Sequence, residues 1–237
     1  MATTVQPASH GGTSVPSKKS RERLLAIDTS TEQAGIALFD GEQLAEMSWP
    51  GGRQQTTTVL PAIETLLARL GIDMSSVGAI AVATGPGSFT GLRVGLSLAK
   101  GYAIAGNCNV IGVPTLDVAA EPWREAGVGC IVLVPAGRGR VVWSVYPVSG
   151  PATEPRNDAF EVFLEGIGEY PDLIVAGELT NDHRSRLAER HARISSTMAT
   201  RRPGALATIG YRRWQAGEID DPTTLVPVYL HGQPNPR

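Results

Sequence analysis

The run Ala79-Ile80-Ala81-Val82-Ala83 is apolar at every position, and the chain then passes through Gly85-Pro86-Gly87-Ser88-Phe89-Thr90-Gly91 into a helical stretch, residues 91–105. A short unbroken apolar run of this kind reads as a buried strand, so this part of the chain is a strand, a glycine-rich loop and a helix in direct succession. The loop glycines permit close backbone approach, and Ser88 or Thr90 can cap the helix whose first N–H groups are able to cradle an anion. It is not a Walker loop, because no Gly-Lys-Ser/Thr sequence follows to reach a phosphate. From the residues alone, a tight structural turn and a phosphate site are equally good readings. In the helix, Gly91, Gly95, Ala99 and Ala103 recur every four residues as a ridge nearly free of side chain, where another backbone can come close. Such a ridge usually packs on the protein's own sheet. The opposite side carries Leu92, Leu96 and Leu98 with Lys100 and Tyr102, and a helix apolar on more than one face is either deeply buried or covered by a partner.

Around this unit the pattern is regular. Residues 24–28 form a short apolar strand, and residues 34–39 and 44–49 continue as strands broken by the hairpin dipeptide Asp40-Gly41. Val59, Leu60, Ile63, Leu66, Leu67 and Leu70 make a helical stripe ended by Gly71, with Pro61 either in the early turns or at a kink. Residues 110–113 form the next strand, and a third helix starts after Pro114-Thr115. This order is the one expected of one lobe of the α/β actin/Hsp70/sugar-kinase-like fold, two lobes of mixed sheet flanked by helices. The expected organisation is a basic leader over residues 1–23, a first lobe over 24–115, and a smaller second lobe over 116–237. The second lobe is read from a strand pair at 131–134 and 141–146 around Gly137-Arg138-Gly139, a strand at 173–176, a polar helix from about 181 to 191, and an amphipathic helix from about 205 to 216.

Bulk properties narrow the function. A formal net charge of −2 argues against a protein that holds nucleic acid by itself, because phosphate binding relies on clustered Lys and Arg. Cys108 and Cys130 are far apart and in no CxxC pattern, so they suggest buried apolar side chains in a reducing cytoplasm, not a disulfide framework or a zinc site. No apolar run reaches the roughly 20 residues of a membrane span, and the first residues lack a secretory apolar core. The histidines His10, His183, His191 and His231 form no helical metal-binding pair, and surface or capping roles fit them better. Asp28-Thr29-Ser30 ends the first strand where an actin-fold ATPase places an acid near metal-bound phosphates. Satisfying backbone N–H groups in a turn is the reading that the residues alone favour.

Two strings carry a resemblance. Leu25-Ala26-Ile27-Asp28-Thr29-Ser30 and Gly85-Pro86-Gly87-Ser88-Phe89-Thr90-Gly91-Leu92-Arg93, continued by Val94-Gly95, resemble the signatures of the TsaB (YeaZ-like) family. The likeness covers residues 24 to about 120, and returns weakly at 136–146 and at Pro227-Val228-Tyr229-Leu230. It departs at Gln55-Thr56-Thr57-Thr58-Val59-Leu60-Pro61, where the family often carries a His-Ser-acidic run. It departs again at Pro135-Ala136-Gly137-Arg138-Gly139-Arg140-Val141-Val142, where an Asp-Ala-Arg-x-Gly-Glu-Val-Tyr-like run is usual. Both changes remove ionisable groups.

The resemblance implies a non-catalytic partner that activates TsaD, the enzyme that builds N6-threonylcarbamoyladenosine (t6A) in ANN-decoding tRNAs. TsaE would join the pair in a ternary complex, and tRNA would be reached through TsaD. By carry-over, the helices at 56–70 and 91–105 would form a four-helix interface with TsaD through Val59, Leu60, Ile63, Leu67, Leu92, Leu96 and Tyr102. This turns the choice for the second helix toward the partner. No cofactor is expected on the chain alone, with ATP or ADP only at a composite site with partners. The competing reading is an ATP-binding ATPase or phosphotransferase of the same fold using Asp28, Ser30, Gly87, Ser88 and Thr90. A homodimer through the same helices is the alternative when TsaD is missing.

Overall fold

The computed structural model describes residues 22–52, 55–190, 193–194 and 201–230. Most of the expected leader, and His10, His191 and His231, lie outside the described residues. Strands β1 (Arg23–Asp28), β2 (Gln33–Phe39), β3 (Leu44–Pro50), β4 (Val77–Gly85) and β5 (Asn109–Pro114) make a sheet of order β3-β2-β1-β4-β5. The first three are antiparallel, β4 is parallel to β1, and β5 is parallel to β4. The β2–β3 turn closes where Gly41 takes a φ of 99° and Asp40 Oδ1 accepts the N–H groups of Glu42 and Gln43 at 3.1 and 2.8 Å. Those backbone bonds hold the Asp40 carboxyl below its ordinary pKa.

Parallel neighbours need crossover connections, and helices α1 (Gln55–Leu70) and α2 (Phe89–Gly106) provide them. Both cover one face of the sheet, with Val59, Ile63, Leu66, Leu67, Leu96, Ala99 and Ala103 packed on Leu25, Ile27, Ile36, Ile80 and Val82. Pro61 sits inside α1.

The second sheet has strands β6 (Cys130–Pro135), β7 (Arg140–Tyr146), β8 (Arg156–Ala159) and β9 (Ile174–Gly177), in the order β8-β7-β6-β9. Its first three strands are antiparallel and its fourth is parallel to the first, which repeats the β3-β2-β1-β4 arrangement of the other sheet. The β6–β7 turn runs through three left-handed residues, Gly137, Arg138 and Gly139. Helices α4 (Phe160–Gly166) and α5 (Asn181–Ala188) cover one face of this sheet, and α3 (Thr115–Glu125) packs on the other. The short strand β8 and helix α4 were not foreseen in the sequence.

Helix α6 (Pro203–Gln215) departs from the expected division at residue 115. Leu206, Ala207 and Ile209 pack on Leu24, Ala26, Ala79 and Ala81, so α6 covers the second face of the first sheet and belongs with the first lobe. Small residues allow this: a Cβ on Gly210 would lie 2.4 Å from that of Ala81. The chain then crosses back, since the Val228 N–H donates to Thr84 O at 2.8 Å, while Asn157 Nδ2 donates to Leu230 O at 2.7 Å. Among the described residues, no helix is long and apolar enough to cross a membrane.

Candidate functional site at the interlobe cleft and the α2 face

The sharp end of β1 and the glycine loop meet directly. Asp28 Oδ1 accepts the Ser30 N–H at 3.0 Å and the Ser30 hydroxyl at 2.7 Å, a side-chain turn that leaves both residues buried. Thr29 Oγ1 donates to Gly91 O at 2.7 Å, and the Ser88 N–H donates to Ser30 O at 2.6 Å. The contact depends on Gly87, because a Cβ there would fall 1.9 Å from Ser30 O. Ser88 caps α2 by accepting the Gly91 N–H at 3.2 Å, and Thr90 is exposed in the first turn. The structure therefore brings Asp28, Ser30, Gly87 and Ser88 together in one hydrogen-bonded cluster.

The group that decides the character of this cluster was missed in the sequence. Arg201, two residues before α6, is buried and donates through Nε to Asp28 Oδ2 and through Nη2 to Asp28 Oδ1 at 3.2 Å. It also reaches Glu178 Oε1 at 2.8 Å, Thr31 Oγ1 at 3.0 Å and Gln33 O at 3.2 Å. Burial alone would lower the Arg201 pKa, but the charges of Asp28 and Glu178 outweigh it and the guanidinium is held charged above its ordinary value. The only sequence signal was a pair of arginines ahead of a Pro-initiated helix. A cleft of about 860 Å³ opens above this cluster, lined by Thr31, Glu32, Gln33, Gly87, Ser88 and Phe89 from the first lobe. From the second lobe come Pro135, Gly137, Gly177, Glu178, Thr180 and Arg184. His183 sits nearby, half-buried and stacked on Phe160, and closes a capping box with Thr180. Among the described residues, no group of three or more His, Cys, Asp and Glu side chains converges as a metal-ligand set.

The helical face needs a correction. Of the expected interface residues, Val59, Ile63, Leu67, Leu92 and Leu96 are buried within the chain, at 0%, 0%, 8%, 0% and 4% exposure. They cannot be offered to a partner in this conformation. The small-residue ridge likewise faces inward: a Cβ on Gly95 would lie 2.4 Å from Thr29 Oγ1, and Ala99 and Ala103 sit in the core. Because α2 is apolar over most of its circumference, its spacing did not reveal which stripe meets the sheet. Leu60 remains exposed and Tyr102 half-buried, its phenol pKa raised by burial and by the charge of Glu64.

The outward stripe consists of Arg93, Ser97, Gly101 and Ile104, with Ile104 68% exposed. Between the starts of α1 and α2 lies a groove of about 510 Å³ lined by Thr56, Phe89, Thr90, Arg93, Val94, Ser97 and Leu98. At its end the Arg93 guanidinium covers the exposed Phe89 ring at 3.7 Å, and Arg93 Nε donates to Tyr229 Oη at 3.3 Å. The closing segment thus contributes to the same face.

A family model described as TsaD, tRNA N6-adenosine threonylcarbamoyltransferase, matches residues 50–190, more than half of the chain. The TsaB protein of Escherichia coli K12, whose name assigns it to tRNA threonylcarbamoyladenosine biosynthesis, is 35% identical over 126 residues, 52% of this chain and 54% of its own. An uncharacterized protein of Mycobacterium tuberculosis is 31% identical over 216 residues, covering 87% of this chain and 90% of that one. The chain spans about half the length of the curated TsaB relatives it matches. The structure of YeaZ from Pseudomonas aeruginosa superposes with a TM-score of 0.71 at 25% identity, over 88% of this chain and all of that one. The two-sheet α/β topology and this likeness agree on the actin-like fold expected from the order of elements. The chain belongs to the TsaD family and is, within it, a TsaB/YeaZ-like protein.

Proposed function

We propose that this chain is the non-catalytic partner subunit that binds and activates TsaD in the formation of t6A on ANN-decoding tRNAs. The observation that carries the reading is the pairing of Asp28 with Arg201. The acid that an actin-fold phosphotransferase would direct at a metal-bound phosphate is here neutralised by a guanidinium of the same chain. The TsaB relatives, named for t6A biosynthesis, support the pathway. The uncovered outer face of α1 and α2 supports the partner role, since exposed apolar residues grouped on one face mark interaction sites.

The contact with TsaD is carried by Leu60, Val94, Leu98, Gly101 and Ile104 in place of the buried Val59, Ile63, Leu67, Leu92 and Leu96. TsaE joins as a third component, tRNA is reached through TsaD, and a nucleotide binds only where the partners complete a site. The work takes place in the cytoplasm.

The test is co-purification with the TsaD of the same organism, followed by a threonylcarbamoyl-transfer assay with and without this chain. A complex that is active only when both are present supports the reading, and Ile104→Asp should weaken the complex without lowering the melting temperature. Failure to associate or to stimulate transfer refutes it. Tight ATP binding by the lone chain would favour the ATPase alternative.

A further inference from the structure

The contacts of Arg201 reach beyond Asp28. Its guanidinium is surrounded by five oxygen acceptors, namely both Asp28 carboxylate oxygens, Glu178 Oε1, Thr31 Oγ1 and Gln33 O. Asp28, Thr31 and Gln33 belong to the first lobe, and Glu178 directly follows β9 of the second. Arg201 itself is anchored to the first lobe, because α6 begins two residues later and the Gly204 N–H and the Arg202 side chain both bind Glu46 on β3. Thr31 Oγ1 also donates to Glu178, so one carboxylate of the second lobe is held by two groups of the first. The Arg201 side chain is 1% exposed, and Asp28 and Glu178 are 3% and 19% exposed, which places the cluster where water screens it little.

We propose that Arg201 is a built-in cation that clamps the two lobes at one angle across the cleft, so that the aperture is set by the chain's own guanidinium and not by a ligand. Two carboxylates, a hydroxyl and a carbonyl form the oxygen shell that a hard cation prefers, and a planar guanidinium fills it with several directed bonds at once. A metal ion or a nucleotide phosphate entering the cleft would have to displace these bonds. Removing one member of a buried pair leaves the other charge uncompensated, which is strongly destabilising. The clamp is independent of whether TsaD is the partner.

The test uses the full chain with spin labels on Glu64→Cys of α1 and Glu165→Cys of α4, both exposed positions, in a Cys108→Ser background that leaves Cys130 buried. Pulsed electron paramagnetic resonance reads the interlobe distance, and calorimetry reads the melting temperature. The clamp predicts one narrow distance distribution for the labelled chain, unchanged by Mg²⁺ and ATP. Arg201→Gly should broaden it and lower the melting temperature by roughly 6–20 °C. Millimolar guanidinium should restore both readouts, whereas equal urea, planar but neutral, should not.

Glu178→Gln keeps Arg201 in place and should broaden the distribution in the same way, which decides the matter should Arg201→Gly fail to fold. Three results would overturn the proposal: a narrow, unshifted distribution in either variant, equal rescue by urea, or a change of aperture with Mg²⁺ and ATP.

Discussion

Gly95 and Gly101 lie six residues apart in α2, and replacing each by alanine should change stability in opposite directions. Alanine within a helix gains about 1 kcal/mol over glycine, because glycine loses more backbone freedom on folding. At Gly101 nothing lies within 4 Å of the added Cβ, so that gain is realised in full. At Gly95 the Cβ would meet Thr29 Oγ1 at 2.4 Å and Val82 Cγ2 at 3.5 Å. Thr29 is 2% exposed and its hydroxyl donates to Gly91 O, so it has no free direction in which to move. Rotating Thr29 away leaves a buried polar group unpaired at about 1–3 kcal/mol, and shifting the helix outward costs about 1–3 kcal/mol by overpacking. After the helix-propensity gain, Gly95→Ala should be destabilised by up to about 2 kcal/mol, a melting temperature up to about 8 °C lower for a chain of this size. Gly101→Ala should melt roughly 2–4 °C above wild type. Differential scanning calorimetry on the two single variants checks both signs. A Gly95→Ala variant that melts above wild type would refute the inward placement of the small-residue ridge, and a loss at Gly101→Ala would refute the outward placement of Gly101.

Three further outcomes follow from the same geometry. Leu96→Asp buries a carboxylate among core side chains, and the penalty rivals a typical total stability of about 5–15 kcal/mol; it should give unfolded protein by circular dichroism, and a well-folded variant would show that Leu96 faces outward. Cys130 is fully buried and its thiol is pushed up to about 12 by burial, so at neutral pH a maleimide should label only the half-buried Cys108 until denaturant exposes the second site, which mass spectrometry counts. The His183 pKa is lowered mainly by burial, against the raising charge of Asp182 and with a lowering contribution from Arg186. The unfolded chain then binds more protons than the folded one, so the stability His183 contributes is full above its ordinary value of 6.5 and is lost as pH falls through the folded value. His183→Gln should flatten that part of the pH profile in urea titrations, and an unchanged profile would contradict the assignment.

Much of the fold was legible in the residues because it rests on local patterns. Two apolar strands flanking Asp40-Gly41 define the hairpin, and an unbroken apolar run followed by a glycine loop and a helix defines β4 and α2. The strings around Asp28 and Gly87 were legible as a family signature, and the structure gives them a physical reason: the two segments touch so closely that Gly87 admits no Cβ. Strand β8 escaped notice because it is four residues long and polar, Arg156–Ala159, and is defined by its pairing with β7. Helix α6 was foreseen as an amphipathic helix but not its placement, since a stripe shows that a helix is covered without naming the sheet that covers it. The same gap reversed the faces of α2, where Leu96 turned inward and Ile104 outward. Arg201 lies 173 residues from Asp28, and no periodicity links positions so far apart. The sequence by itself determined most of the elements, the two-lobed class and the kinship, because these follow from short-range patterning. Only the tertiary structure decided which faces stay open and which charge neutralises the cleft acid, because both depend on segments that folding alone brings together.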